Sequence, residues 1–211
     1  MWKNLEKGFQ AAFEQAWQAY KLGTIPIGAA ILSQDGEIMA ASHNQIFADG
    51  GGAVKFHQIA HAEINAILQL SEMTSQNVRE NVRAYTLYST MEPCPLCFGA
   101  IVMGSIRNVK FAAQDSFAGA STLNDKMDYI RNKNITFAYL GGDAEIVQIA
   151  VQVCFELELS WHNGDKVVAS WEEACSRGVA LGKHLFEHKI LKNMIEHKFE
   201  TVYNHILSLE V

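Results

Sequence analysis

The stretch Leu87–Ile101, LYSTMEPCPLCFGAI, decides how the chain is read. Its first half is rich in β-formers, its last half is apolar and helix-prone, and Pro93-Cys94-Pro95 stands between them. This pattern predicts a strand that ends at a helix start. Cys94 and Cys97 lie three positions apart at that start. Such a pair is a redox couple, half of a disulfide framework, or half of a metal site, and by itself it leaves these readings open. A helix N-terminus favours thiolate through its unpaired N–H groups and the positive end of its dipole, which suits a redox thiol and a metal ligand alike. Pro95 costs nothing there, because its missing N–H would have no partner.

Upstream, the segment AHAEINA places His61 and Glu63 two residues apart, 33 and 31 positions before Cys94. One histidine and two cysteines supply three ligands of mixed nitrogen and sulfur, leaving a fourth tetrahedral position open. That is the layout of a catalytic rather than a structural zinc site. On a regular helix Glu63 points about 200° away from His61, so it is not read as a ligand. Near a helix start it can instead reach the open position, where a carboxylate takes a proton from water and hands it on. Cys154 and Cys175 fit no ligand pattern and read as structural; His184 and His188, spaced i and i+4, read as a solvated helix face.

Composition bounds the other choices. The 211 residues are 49% hydrophobic and 19% charged, the balance of a globular chain. No apolar run approaches the roughly 20 residues of a membrane helix, so no membrane partner is expected. Four cysteines without a secretion signal point to a reducing, cytoplasmic setting. The net charge of −6 gives no general attraction for a polyanion, which disfavours nucleic acid while leaving room for a local basic patch.

Outward from the cysteines, the chain alternates strands and helices, which predicts an α/β fold with helices covering a central sheet. An amphipathic helix is expected over residues 2–21, with Phe9, Phe13, Trp17 and Tyr20 on one face and Gly23 at its stop. IPIGAAILSQDGEIMAASHN reads as a hairpin turning at QDG. The triple glycine of FADGGGAVKFHQ is either a lid or, as favoured here, a flexible connection. VKFAAQD and ITFAYLGG read as further strands, STLNDKMDYIR as a short helix, and DAEIVQIAVQVCFELE as a helix capped by Asp143. After about residue 160 only helix is expected. Leu181, Leu185, Leu191, Ile195, Phe199, Val202 and Leu209 form an apolar stripe that docks on the core or on a second subunit. The division is thus residues 1–159 as one domain and 160–211 as a helical extension.

H-x-E followed by P-C-x-x-C is the signature of zinc-dependent nucleobase deaminases. With PIGAAIL, His43-Asn44, HAEINAI, LYSTMEPCPLCFGAI and VKFAAQD…AGA in order, the chain resembles the cytidine-deaminase-like superfamily over about residues 5–158, on the branch of guanine deaminases and tRNA adenosine deaminases. The resemblance implies a three-layer α/β/α fold with a mixed five-stranded sheet, and hydrolytic release of ammonia from an amine-bearing ring carbon. It implies one zinc per chain on His61, Cys94 and Cys97, Glu63 as proton shuttle, and substrate contacts from Asn44, the Ala62 N–H and Asp125. The Asn44 amide would offer a donor and an acceptor to a purine edge. Met103 stands where guanine deaminases place a pocket Trp. A small purine base or nucleoside is the expected substrate, guanine first, with a tRNA adenosine as the alternative. A non-catalytic zinc protein with an interacting tail is the alternative of another class. A homodimer is also implied.

Overall fold

The computed structural model of the chain describes residues 1–72, 81–159 and 164–211. Its elements in order are α1 (Lys7–Lys21), β1 (Gly28–Leu32), β2 (Ile38–His43), α2 (Ala62–Glu72), β3 (Thr86–Met91), α3 (Pro95–Met103), β4 (Asn108–Ala113), α4 (Asp128–Arg131), β5 (Thr136–Tyr139), α5 (Gly142–Leu159), α6 (Gly164–Trp171), α7 (Ser176–Glu187), α8 (Ile190–Asn193) and α9 (Phe199–Ser208). The strands form one mixed sheet in the order β2-β1-β3-β4-β5. β1 pairs antiparallel with β2 and β3, whereas β3, β4 and β5 run parallel. The hairpin turns where the sequence predicts, with Gly36 bonded back to Ser33 and Ser33 to Glu37.

Side-chain alternation along the strands builds the three layers. Ala30, Leu32 and Tyr88 face a cluster made with α1 and α5, while Ala29, Ile31 and Leu87 face one made with α2 and α3. The predicted apolar face of α1 is buried against the first cluster, and the helix closes in a Schellman arrangement. Gly23, at φ 73°, donates to Tyr20 and Thr24 to Ala19. The helix does not reach back to residue 2. Trp2–Asn4 form a 3₁₀ turn, and Leu5 and Glu6 are extended. Tertiary contacts override the helical pattern here, because the Glu6 carboxylate is drawn to Lys110 at 2.7 Å and to the Tyr88 hydroxyl at 2.8 Å. Asp143 lies inside the first turn of α5 rather than before it, so it is not the cap the sequence suggested.

The expected division after residue 159 falls at residues 160–163, outside the described residues. The apolar stripe beyond it docks on this chain's own core. Leu181, Leu185, Leu191, Phe199 and Val202 join Phe9, Phe13 and Trp17 in the α1–α5 cluster. Trp2 packs edge-on to Phe199 and Tyr203, and the Trp17 indole donates to the His197 carbonyl. His184 and His188 stack with ring centroids 4.2 Å apart, His188 exposed. Among the described residues no helix is long and apolar enough to cross a membrane.

Candidate active site

The C-terminal ends of the parallel strands β3 and β4 leave a crevice, the usual position for a ligand in an open α/β sheet. Two helix starts meet there. Cys94 occupies the cap position of α3 with extended backbone, Pro95 is the first helical residue, and the Cys94 carbonyl accepts the first helical bond from Phe98. His61 directly precedes α2, so it escapes the helical geometry that would have turned it away from Glu63. Its Nδ1 stands 3.5 Å from Cys94 Sγ and 3.4 Å from Cys97 Sγ. The three donor atoms all lie within 4.8 Å of one another.

This donor set fits zinc. Zn–N and Zn–S bonds of about 2.1 and 2.3 Å at a tetrahedral angle place nitrogen and sulfur about 3.6 Å apart, close to the spacing found. Hydrogen bonding from the Cys97 thiol, backed by His61, outweighs burial and holds Cys94 at about 4, so one thiolate is ready. The same pairing and burial push Cys97 up. Burial works against a charged His61, yet Cys94 and Glu63 together hold its pKa above the ordinary value. The ring also pairs with the Gln58 backbone, a contact that orients a ligating imidazole.

Glu63 is 3% exposed. Ser89 Oγ donates to its Oε1 at 3.2 Å, and Cys97 Sγ lies 3.3 Å from its Oε2. Strand alternation puts Ser89 on the same face as Leu87, which is why it reaches α2. Burial raises the Glu63 carboxyl, the direction a proton carrier needs near neutral pH.

The metal-ligand cluster opens on a cavity of about 270 Å³ lined by Asn44, Ala62, Glu63, Asp115, Gln152 and Glu156 among others. Asn44 is buried, and its Oδ1 accepts from Thr24 Oγ1 and from the Ile46 N–H, both at 3.0 Å. Because a backbone N–H can face only the amide oxygen, the side-chain orientation is settled, with Nδ2 on the other side. The sequence reading gives this amide both a donor and an acceptor, and here its oxygen already accepts two bonds from the protein. Ala62 begins α2, so its N–H has no helical acceptor.

Asp125 is not brought to the site. It is exposed at the end of the 3₁₀ turn Ser121–Asp125, which Asn124 pins to the Ile135 carbonyl. Met103 is 72% exposed at the end of α3 and forms no pocket wall. The glycine loop is not a loose connection. Gln45 Oε1 accepts from Gly50 and Gly52, and the Asn65 amide bonds both the N–H and the carbonyl of Val54.

Other wall residues escaped the sequence reading. Glu92 Oε1 accepts from the N–H and hydroxyl of Ser121, and Oε2 from the Asp115 N–H, so one carboxylate staples the loop over the cavity. Trp171, on α6, lines the cavity with its indole N–H tied to the Gln114 carbonyl. Polar residues inside buried elements were the available signal: Ser89 in β3, and Gln148 and Gln152 at i, i+4 in α5.

Comparison with known proteins agrees with this geometry. The chain is 27% identical over 152 residues to the cytosine deaminase of Candida albicans, covering 72% of this chain and 85% of that one. It is 36% identical over 110 residues to the tRNA-specific adenosine deaminase of Bacillus subtilis, spanning 52% of this chain and 62% of that protein. Among solved structures, one from a study of A-to-I editing by tRNA:A34 deaminases superposes with a TM-score of 0.50 at 27% identity, covering 64% of this chain and 96% of that one. A protein solved with 2,6-diaminopurine shares the fold, with a TM-score of 0.51 at 22% identity over 71% of this chain and 80% of that one. Residues 2–113 match the cytidine and deoxycytidylate deaminase zinc-binding region. The chain belongs to that zinc-dependent family of hydrolases, which act on the C–N bonds of nucleobases and nucleosides.

Proposed function

We propose that the protein is a hydrolytic deaminase of a free purine base, guanine foremost, with His61, Cys94 and Cys97 holding the zinc and Glu63 carrying protons. When bound, zinc lowers the pKa of a coordinated water to about 7. Glu63 takes a proton from the attacking water, gives it to the neighbouring ring nitrogen, and later passes a proton to the departing amine. The ring carbon exchanges its amine for oxygen, and ammonia leaves. Ser89 holds one carboxylate oxygen, so the other is aimed at the reacting atoms. Asn44 Nδ2 and the Ala62 N–H donate to acceptors on the base and fix its rotation in the plane.

The observation that carries the choice of substrate is the charge of the cavity wall. Glu63, Glu92, Asp115 and Glu156 line it, and among the described residues no lysine or arginine does. Arg83, Arg107 and Lys133 cluster instead near the starts of β3 and β4, the end of the sheet away from the crevice. A phosphodiester chain needs cations beside the site it enters, whereas a neutral base does not.

The second reading, a tRNA-specific adenosine deaminase, is favoured by the 36% identity to the Bacillus subtilis protein. Ammonia release per active site decides between them, measured on guanine, guanosine, adenine, cytosine and a tRNA anticodon hairpin. Guanine is expected to be fastest at physiological salt; a faster hairpin overturns the purine-base reading, and no release from any substrate favours a non-catalytic zinc protein. Residues 160–211, helical where described, form an extension that supplies Trp171 to the cavity. A homodimer belongs to the same reading, resting on Leu96, Met103, Met127 and Tyr129, which are 40–72% exposed on and beside α3. Four free cysteines suit a cytoplasmic setting.

A further inference from the structure

The end of the sheet away from the crevice carries a second hollow, of about 380 Å³, lined by Arg83, Arg107, Asn132, Lys133 and Asn134. These residues come from three strand starts: Arg83 just before β3, Arg107 just before β4, and the other three just before β5. The starts are tied to one another. Asn108 Nδ2 donates to the Arg83 and Tyr85 carbonyls at 3.4 and 3.3 Å. The Thr136 N–H and hydroxyl donate to the Arg107 carbonyl at 2.8 and 3.2 Å. Asn134 turns the chain into β5 with left-handed backbone, φ 52°. The register of the sheet thereby gathers three cations around one space.

None of the three is neutralised. Among the described residues no carboxylate stands within 4.0 Å of Arg83, Arg107 or Lys133, whereas Arg131, outside the hollow, is paired with Asp128. Arg107 donates one N–H to the Ile106 carbonyl at 3.0 Å, and the rest of its guanidinium meets no described acceptor. Lys133 Nζ lies 4.4 Å from the centre of the Tyr129 ring, a cation–π contact that orients the ammonium without cancelling its charge. Burial and the nearby Arg83 charge hold Arg107 below its ordinary pKa. Like charges kept this close repel one another, and a bound anion relieves them.

The surroundings indicate what kind of anion fits. Guanidinium forks match phosphate oxygens bidentately. A diphosphate ester carries about three negative charges near neutral pH, against three cations here. The positive surface also stops short. The next hollow, which shares the turn before β3 through Ala84 and Tyr85, is lined by Asp35 and Glu37. A polynucleotide needs cations that continue along its backbone, whereas a small phosphorylated molecule needs only these. β3, six residues and about 20 Å long, separates the hollow from Cys94.

We infer that Arg83, Arg107 and Lys133 form a binding site for a small molecule bearing a diphosphate group, separate from the cavity that holds Glu63. The site stands independently of the deaminase reading, because no reacting atom lies within its reach.

Inorganic pyrophosphate is the probe, titrated calorimetrically into the zinc-loaded protein at low ionic strength, where exposed charges act most strongly. One equivalent per chain should bind with a Kd below about 1 mM, and backbone amide NMR signals should shift at Arg83, Arg107 and Asn134 but not at Ala62. Zinc content measured before and after separates binding from chelation by the probe. Arg107→Gln and Lys133→Gln, at half-buried surface positions, should each weaken binding by about tenfold or more through the loss of a charged hydrogen bond. Lys183→Gln removes an equal charge that Glu172 already pairs and should leave the affinity within about twofold. ADP should compete with pyrophosphate and lose the same factor in Arg107→Gln, and the tighter of the two identifies whether the ligand is a nucleotide or the free anion. Ammonia release should be unchanged in all three variants. Absence of saturable binding, shifts confined to the catalytic cavity, or an equal loss in Lys183→Gln would overturn the site. An RNA hairpin that binds through Arg107 more tightly than either probe would overturn its assignment to a small molecule.

Discussion

Gly119→Ala tests the staple over the cavity. A Cβ placed on Gly119 would collide with Glu92 Oε2 and stand 2.6 Å from the Asp115 carbonyl. Its backbone is not in the left-handed region, so the cost is one of contact and not of backbone conformation. Glu92 accepts three hydrogen bonds from the loop, at 3.2, 3.0 and 2.5 Å. Bonds to a charged group contribute about 1.5–3 kcal/mol each, and displacing Oε2 sacrifices one and strains the others, which gives about 2–4 kcal/mol. The loop carries Asp115, Phe117 and Ala118 of the cavity wall. An error of about 1 Å in such a wall can lower kcat/KM by about 10²-fold. Urea unfolding with a shared m-value reads the stability, and ammonia release reads the catalysis. In the Glu92→Ala background the same Gly119→Ala change should cost less, because one of its two obstacles is gone. A stability change under about 0.5 kcal/mol with normal turnover, the range of ordinary surface substitutions, would refute the staple.

Four further outcomes follow from the site and its surroundings. Cys97→Ala should strip most of about one equivalent of zinc per chain by elemental analysis, since one of three ligands is lost; retained metal would exclude Cys97 as a ligand. Glu63→Gln should keep its zinc while losing about 10²- to 10⁴-fold in kcat, and near-normal turnover would remove Glu63 from the proton path. Thr24→Val frees Asn44 Oδ1 from one of its two donors and should raise KM for the base more than it lowers kcat; an unchanged KM would show that Ile46 alone orients the amide. Burial depresses His43, whose Nδ1 pairs with Gln15 and whose buried Nε2 has no partner among the described residues. Its folded pKa lies below the unfolded value near 6.5, so the unfolded chain binds the extra proton and stability falls as pH drops below about 6.5, by at most about 1.4 kcal/mol per pH unit. His43→Gln should flatten that part of the stability profile, and an unchanged slope would assign it to other groups.

What the sequence discloses is what neighbouring residues decide together. The Pro-Cys helix start, the hairpin at Gly36 and the aromatic face of α1 each depend on a few adjacent positions, and each is found where the pattern put it. His61, Glu63, Cys94 and Cys97 were legible because their chemistry is rare and their order fixed. The misreadings have one cause in common. Gly50 and Gly52 look permissive locally, but Gln45 and Asn65 hold the loop through contacts that no periodicity records. Asp125 stands at a plausible distance along the chain, yet the bond from Asn124 to Ile135 turns it outward.

The aromatic seam between the first and last helices has a consequence in time. Trp2 donates to Asn204 across 202 positions, and Trp17 reaches His197 across 180. Contacts so distant along a chain are slow to form, because a long loop must close before any of them is rewarded. During synthesis α1 and the sheet emerge first, with Phe13 and Trp17 lacking the cover that Phe199 and Tyr203 later provide. Part of the aromatic face of α1 therefore stays uncovered until almost the whole described chain has left the ribosome.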